Sequence, residues 1–317
     1  MQKAKKRFFS VTAVLLAVLV ALTALLPTAG AAQAATMRSK YTGKSYTHNA
    51  RFDKLEVLNG VDISAWQEKV DWKKIKNDGI DFAILRAGYG KNANQEDAYF
   101  ATNFKNATAA GLPVGIYWYS YAKSVADVEK EARLCLQVLG SRTLDLPVFY
   151  DLEESSQLNK GKAFCTQLVE HFCSIIAAAG HTPGLYMSRS PLLDYIEQET
   201  RGRYALWVAE YGSKTCKYDG DYLMWQYADN GKVAGVNGNT DMDFLYGNKN
   251  SLPGSATLLK SKTYTGKAIT PAPTVTGEDG QPLKADKDYT LTYINNKAVG
   301  MATITAQGLG AYTGRRW

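Results

Sequence analysis

From Val57 to Gly247 the chain alternates short apolar runs with amphipathic stretches. Eight runs read as strands: 57–64, 81–88, 112–121, 146–153, 182–188, 205–211, 222–228 and 240–246. Most are continuously apolar rather than alternating, the pattern of strands covered on both faces. Helical stripes fill the first gaps. Across 124–140, Val125, Val128, Ala132, Cys135, Leu136 and Leu139 share one side, with Ser124 placed as N-cap and Gly140 closing the end. Residues 163–180 repeat the pattern through Phe164, Leu168, Phe172, Ile175 and Ile176 up to Gly180, and 97–111 supplies Phe100, Phe104 and Ala107. This is βαβ repetition, which predicts parallel strands. The gaps at 212–221 and 229–239 are short, rich in Gly, Asn, Asp and Lys, and carry no stripe. The predicted fold class is therefore α/β. Eight strands, the last three without full crossover helices, suggest a modified TIM-like barrel, with an open doubly wound sheet as the alternative. No glycine-rich phosphate loop follows the first strand, which weighs against a nucleotide-binding version.

The pattern changes outside that span. After Leu252-Pro253-Gly254-Ser255 the chain becomes rich in Thr, Tyr and Gly, with alternating runs at 288–294 and 301–307 separated by turn signals. It reads as a small all-β module over 264–317, joined by a linker at 249–263. At the other end a basic start and a long apolar run end in small residues at Ala32–Ala34, so 1–34 reads as a secretion signal, an uncleaved anchor being the alternative. Residues 35–56 then form an N-terminal linker and 57–248 the barrel. The tetrapeptide Tyr-Thr-Gly-Lys occurs at 41–44 and again at 264–267, too short to establish a repeat.

Composition narrows the function. At 317 residues, 45% hydrophobic and 21% charged, the chain can bury a core. Its formal charge of +7 includes four basic residues and no acid within 1–34; the remainder carries 33 basic and 30 acidic residues, a net +3. That balance gives no basis for a nucleic-acid partner. No segment after residue 34 is long and apolar enough to span a bilayer, so the expected mature protein is exported, free of the membrane and, by default, monomeric. Cys135, Cys165, Cys173 and Cys216 form no disulfide framework. His48, His171 and His181 lack metal spacing, and neither metal nor cofactor is expected.

The acids are placed more tellingly. In a β/α barrel the C-terminal strand ends converge on one face. Asp62 ends the first predicted strand, Asp151 and Glu153 the fourth and Glu210 the sixth, while Asp241 lies in the eighth. Asp151 and Glu153 are two apart, hence on one side of a strand, about 7 Å between Cα atoms. Like charges that close push one pKa upward, and a carboxyl still protonated near neutrality can protonate a leaving oxygen. A second, ionised carboxylate can stabilise a cationic sugar-like transition state. Single acids at strand ends commonly just solvate a turn; acids at four strand ends beside aromatics favour a working site. Tyr119, Tyr186 and Trp225 are candidate sugar-stacking residues among several aromatics near strand ends, including Trp66 and Trp207. Arg86, ending the second strand, could pair with a carboxylate or contact substrate. No Gly-x-Ser-x-Gly elbow and no histidine at a strand end offers a different chemistry.

Read in order, residues 60–90, 110–122, 146–154, 183–188, 206–211 and 224–247 resemble the glycoside hydrolase family 25 muramidases, a lysozyme family. The segments Asp-Ile-Ser (62–64), Asp-x-Glu (151–153) and Thr-Asp-Met-Asp (240–243) carry that resemblance most specifically. It implies a barrel of five β/α units plus three strands. It also implies cleavage of the β-1,4 bond from N-acetylmuramic acid to N-acetylglucosamine in peptidoglycan, whose glycan strands would be the partner. Glu153 would be the general acid/base and Asp151 its partner, with Asp62 and Asp241 completing the catalytic set; Arg86, Tyr119, Tyr186, Trp225 and Glu210 are the substrate-binding candidates. The family is discussed as retaining, with the substrate's acetamido group as nucleophile assisted by Asp151. Two alternatives stand beside this: a non-catalytic wall-glycan binder, and an endo-hydrolase of a chitin-like polymer. The tail from Tyr264 to Gly314 resembles a bacterial Ig-like repeat of surface proteins, a possible attachment to the cell wall, but lacks the further strand expected after Gly314.

Overall fold

The computed structural model describes residues 36–53, 55–247, 266–275, 282–294, 303–308 and 315–316. The predicted signal (1–34) and second linker (249–263) lie outside the described residues. Two short strands, β1 (Thr36–Arg38) and β2 (Ser45–Thr47), form a hairpin. The barrel follows: β3 (Glu56–Ile63), α1 (Trp72–Asn77), β4 (Phe82–Tyr89), α2 (Phe100–Ala109), β5 (Val114–Tyr119), α3 (Val125–Leu139) and β6 (Val148–Asp151). Then come α4 (Ser155–Leu158), α5 (Lys162–Ala178), β7 (Pro183–Ser188), α6 (Arg189–Tyr195), α7 (Gln198–Arg201), β8 (Ala205–Ala209), β9 (Met224–Gly231) and β10 (Thr240–Gly247). Strands β3 to β10 close a barrel in sequence order, and helices follow each of β3 to β7. The open-sheet alternative is thereby excluded.

Helix limits follow the local chemistry. Ser124 Oγ accepts from Asp127 N at 3.2 Å at the start of α3, and Gly140 ends it at φ 59°, a backbone angle that glycine adopts without steric cost. One strand departs from the expected parallel order. β10 runs antiparallel to both β9 and β3, because the eight-residue link from β9 has no crossover helix and can only turn the chain back. This reversal brings the start of β10, not its end, to the same mouth as the C-terminal ends of the other strands.

The barrel has two apolar layers. Phe82, Ile84, Tyr117, Phe149, Tyr186, Trp207, Met224 and Leu245 fill its inside. Their chain neighbours, among them Leu85, Trp118, Tyr150, Trp225 and Phe244, face outward, for the most part beneath the helices. Phe82 covers the backbone of Gly60, where a Cβ would come within 2.1 Å of its ring.

No helix covers the outside of β9 and β10. Residues 36–53 do so instead, and the expected linker is corrected on this point. Tyr46 meets Trp225, Tyr227 and Phe244 edge-on at ring-centroid distances of 5.7, 4.5 and 5.7 Å. Phe52 stacks on Tyr246 at 3.8 Å, His48 Nδ1 lies 2.9 Å from Tyr246 Oη, and Ser39 Oγ lies 3.1 Å from Tyr227 Oη. Burial lowers His48 to about 4, so it packs there as neutral imidazole. The segment is part of the barrel's outer layer.

All four cysteines are buried and unbridged. Among the described residues no helix is long and apolar enough to cross a membrane. The C-terminal region shows a three-stranded antiparallel sheet, β11 (Tyr289–Ile294), β12 (Thr303–Gly308) and β13 (Arg315–Arg316), with Tyr289 and Ala306 at its small core. The first two strands were legible in the sequence. The third pairs Arg315 and Arg316 with Gln307 and Ala306, where no further strand was expected.

Candidate active site

Strand parity decides which side chains meet in the mouth. Leu85 and Ala87 point outward, so Arg86 points in; Trp118 points outward and Tyr117 and Tyr119 in. β6 ends at Asp151, but its alternation continues one step further. Leu152 is buried in the outer layer, leaving Asp151 and Glu153 on the inner side. Asp62 lies opposite Asp241 across the β3–β10 pair, and cross-strand partners share a face.

The four predicted catalytic acids thus form one electrostatic cluster. Burial raises Asp62 well above the carboxylate range, and Asp241, Asp243 and Asp151 add repulsion against a donor from Gln226. Asp151 is raised by burial and by Glu153, with Arg86 pulling the other way. Glu153 is raised by burial, then by Glu154 and Asp241. Asp241 is pushed up to about 6 by burial and by Asp229. A mouth lined in this way holds protons at neutral pH and can deliver one to a bound ether oxygen.

This proton retention carries a stability consequence. Asp241 titrates near 3.9 in an unfolded chain and near 6 in the folded one. Its stabilising contribution is therefore complete below about pH 4 and lost as pH rises through about 6. Asp241→Asn is expected to stabilise the protein at pH 8 by on the order of 2 kcal/mol and to give little benefit at pH 4. Thermal unfolding at the two pH values checks this; an equal Tm change at both would show that Asp241 is not held against ionisation.

The binding candidates separate into those at the mouth and those placed elsewhere. Tyr119 donates from its hydroxyl to Glu154 Oε1 at 2.9 Å, beside Glu153. Tyr186 donates to Gln226 Oε1 at 2.6 Å. Arg86 binds the buried Asp97 at 2.7 Å through Nε while its charge reaches Asp151. Glu210 is engaged by Arg189 Nε at 3.1 Å and by Lys217 N at 2.7 Å. It anchors the loop after β8 and joins none of the four acids. Trp225 is corrected outright: its ring is 0% exposed in the outer layer under Tyr46, and its indole N–H donates to the Glu210 carbonyl at 3.1 Å. The strand that places Gln226 inward must place Trp225 outward.

Several mouth residues were not anticipated. Gln226 donates to Asp62 Oδ2 at 2.7 Å, and its carbonyl accepts from the hydroxyls of Tyr186 and Tyr211. Asp243, fully buried, accepts from Trp207 Nε1 at 2.7 Å. Asp97 holds Arg86 and also takes the N–H groups of Ala65 and Tyr99. A detectable signal existed for two of them: Gln226 and Asp243 are polar residues within buried apolar strands, where such a group needs a specific partner. Trp66 follows β3 on a short turn that Ser64 and Gln67 cap reciprocally, yet its own side chain is 83% exposed. Among the described residues no group of His, Cys, Asp and Glu is arranged to hold a metal ion.

Residues 61–236, more than half of the chain, match Glycosyl hydrolases family 25. The chain belongs to that family. The protein YegX of Escherichia coli O157:H7, uncharacterised itself, is 30% identical over 206 residues, 62% of this hydrolase and 72% of YegX. The autolytic lysozyme of Clostridium acetobutylicum is 26% identical over 186 residues, 59% of this chain and 55% of that protein. Among solved structures, the CTP1L endolysin is 27% identical with a TM-score of 0.54, covering 59% of this chain and 66% of its own. The modular autolysin LytC from Streptococcus pneumoniae is 25% identical with a TM-score of 0.56, covering 67% and 52%. This hydrolase is accordingly a glycoside hydrolase of the lysozyme type acting on glycan polymers.

Proposed function

We propose that this hydrolase is a secreted muramidase cutting the β-1,4 bond from N-acetylmuramic acid to N-acetylglucosamine in peptidoglycan. The observation that carries the reading is the pairing of Glu153 and Asp151 on one inner side of the mouth, within a cluster of carboxyls all held above their ordinary range. Glu153 is the group to protonate the leaving oxygen. Asp151, with Arg86 favouring its ionised form, is the one to face the developing positive charge or assist the substrate's acetamido group. Relatives named autolytic lysozyme and, in Streptomyces globisporus, lysozyme M1 support this substrate class. The C-terminal sheet fits, in this reading, an Ig-like repeat that keeps the enzyme at the wall.

The test is mass spectrometry of soluble fragments after incubating the protein with purified peptidoglycan, followed by borohydride reduction. Reduced muramic acid ends are expected. Reduced glucosamine ends would move the scissile bond. Cleavage of chitin oligomers alone would change the substrate, and a folded protein that binds walls without cutting them would end the enzymatic reading.

Trp66 supplies an aromatic face at the rim, and sugar rings stack on such faces. Trp66→Ala is expected to change unfolding free energy by less than about 0.5 kcal/mol. It should weaken glycan binding by about 0.5–1.5 kcal/mol, roughly two- to tenfold in half-saturation. Wall-fragment titration and thermal unfolding together read both effects, and unchanged binding would place Trp66 outside the site.

A further inference from the structure

The deepest carboxyl of the mouth has no role in the mechanism above. Asp243 lies inward on β10 between Gly60 of β3 and Gln226 of β9, its cross-strand neighbours. It is completely buried. Oδ1 takes the Trp207 indole N–H at 2.7 Å, whereas Oδ2 receives no donor from any other residue type. What Asp243 meets instead is the carboxyl of Asp62, at hydrogen-bonding contact.

Neither neighbouring donor can be redirected. The Gln226 carbonyl accepts two tyrosine hydroxyls, from Tyr186 and Tyr211, which fixes the amide with Nε2 turned to Asp62 Oδ2. Trp207 has a single N–H, already committed to Asp243 Oδ1. The other titratable groups facing Asp243 are Asp241 on its own strand, Tyr211 from the loop after β8 and Tyr227 on β9; none is a cation. Two buried carboxyls in contact, with no donor between them, share a proton.

We propose that Asp243 carries that proton at neutral pH and donates it to Asp62, acting as a positioning residue that keeps Asp62 ionised and fixed toward the mouth. The assignment within the pair follows from access and donors. Asp62 stands nearer the mouth and already receives an amide hydrogen from Gln226, which favours its ionised form; Asp243 receives only an indole hydrogen at the closed end of the cluster. The site therefore contains a resident acid that never transfers its proton to substrate. Its kinetic consequence rests on the proposed glycan-cleaving role of this mouth; its protonation does not.

The experiment compares the full-length protein with Asp243→Asn and Asp243→Leu. At pH 7, isotope-edited infrared spectra with labelled aspartate should show a protonated-carboxyl band that is lost in Asp243→Asn. In kinetics, the asparagine amide still donates to Asp62, so the acidic limb of kcat/KM on wall glycan should stay in place. Leucine removes the donor, and that limb should move up by about one pH unit or more, because a buried carboxylate that loses a donor is protonated more readily. A spectrum of Asp243→Asn that retains the whole band would overturn the proposal, whether or not the protein cuts glycan. So would an acidic limb that moves equally in both variants. A band lost in Asp243→Asn from a protein without hydrolytic activity would uphold the protonated pair and fail only the muramidase reading. Should Asp243→Leu not fold, the infrared comparison with the isosteric asparagine decides alone.

Discussion

Glu153→Gln is expected to lower the rate of peptidoglycan cleavage by about 10²–10⁴-fold while leaving a folded barrel. Glutamine keeps the volume and the hydrogen-bonding reach of glutamate but has no proton to give to a leaving oxygen. The native group is suited to giving one because burial, Glu154 and Asp241 all resist its ionisation. The same resistance fixes the sign of the stability change. A carboxyl raised in the folded state contributes fully at low pH and loses that contribution as pH rises through its folded value. The variant should therefore match or exceed the wild-type Tm at pH 8. Reducing-end release and thermal unfolding on one preparation measure both quantities. A variant as active as wild type would remove Glu153 from the chemistry; one that is inactive and unfolded would leave Glu153→Asp as the comparison, with its carboxyl set back from the bond.

The second large effect lies far from the mouth. Tyr46→Ala should destabilise the barrel by about 3–5 kcal/mol, in the range for removing a buried aromatic ring, and lower Tm by on the order of 10 °C. Tyr46 is the ring that three outward aromatics, Trp225, Tyr227 and Phe244, share. Without it, the helix-free side of β9 and β10 is open to water. Denaturant unfolding gives the magnitude, and the activity of the remaining folded fraction should match wild type. A loss below about 1 kcal/mol would show that β9 and β10 hold together without the segment from 36 to 53.

The contrast between these sites explains what was legible in the sequence. All eight barrel strands were, because burial on both faces leaves dense apolar runs; the helices of α2, α3 and α5 were, because an amphipathic stripe repeats with the helical turn. The reversal of β10 was not, since an apolar run reads alike in either direction. The covering role of residues 36–53 was missed for a different reason. Tyr41, Tyr46, His48 and Phe52 are scattered among Thr, Lys, Gly and Asn, and only the partner strands make their common side visible. Asp62, Asp151, Glu153 and Asp241 stood out by their places at strand ends. Trp225 was misplaced although alternation alone would have sent it outward once Gln226 was taken as inward. Gln226 was overlooked since one amide between two large aromatics looks like an interruption, not a clamp on an aspartate.

The antiparallel pairing of β10 with β3 also sets Gly247 beside Glu56, at the end of the barrel opposite Asp241 and Asp62. The polypeptide thus enters and leaves the catalytic fold through adjacent points on its floor. For an enzyme whose target is a cross-linked mesh far larger than itself, this matters sterically: neither tether competes with the incoming polymer for the open face. It also makes the barrel a cassette. Segments could be exchanged, lengthened or spliced at either port over evolutionary time, altering where the enzyme is held without disturbing the carboxyls that cut.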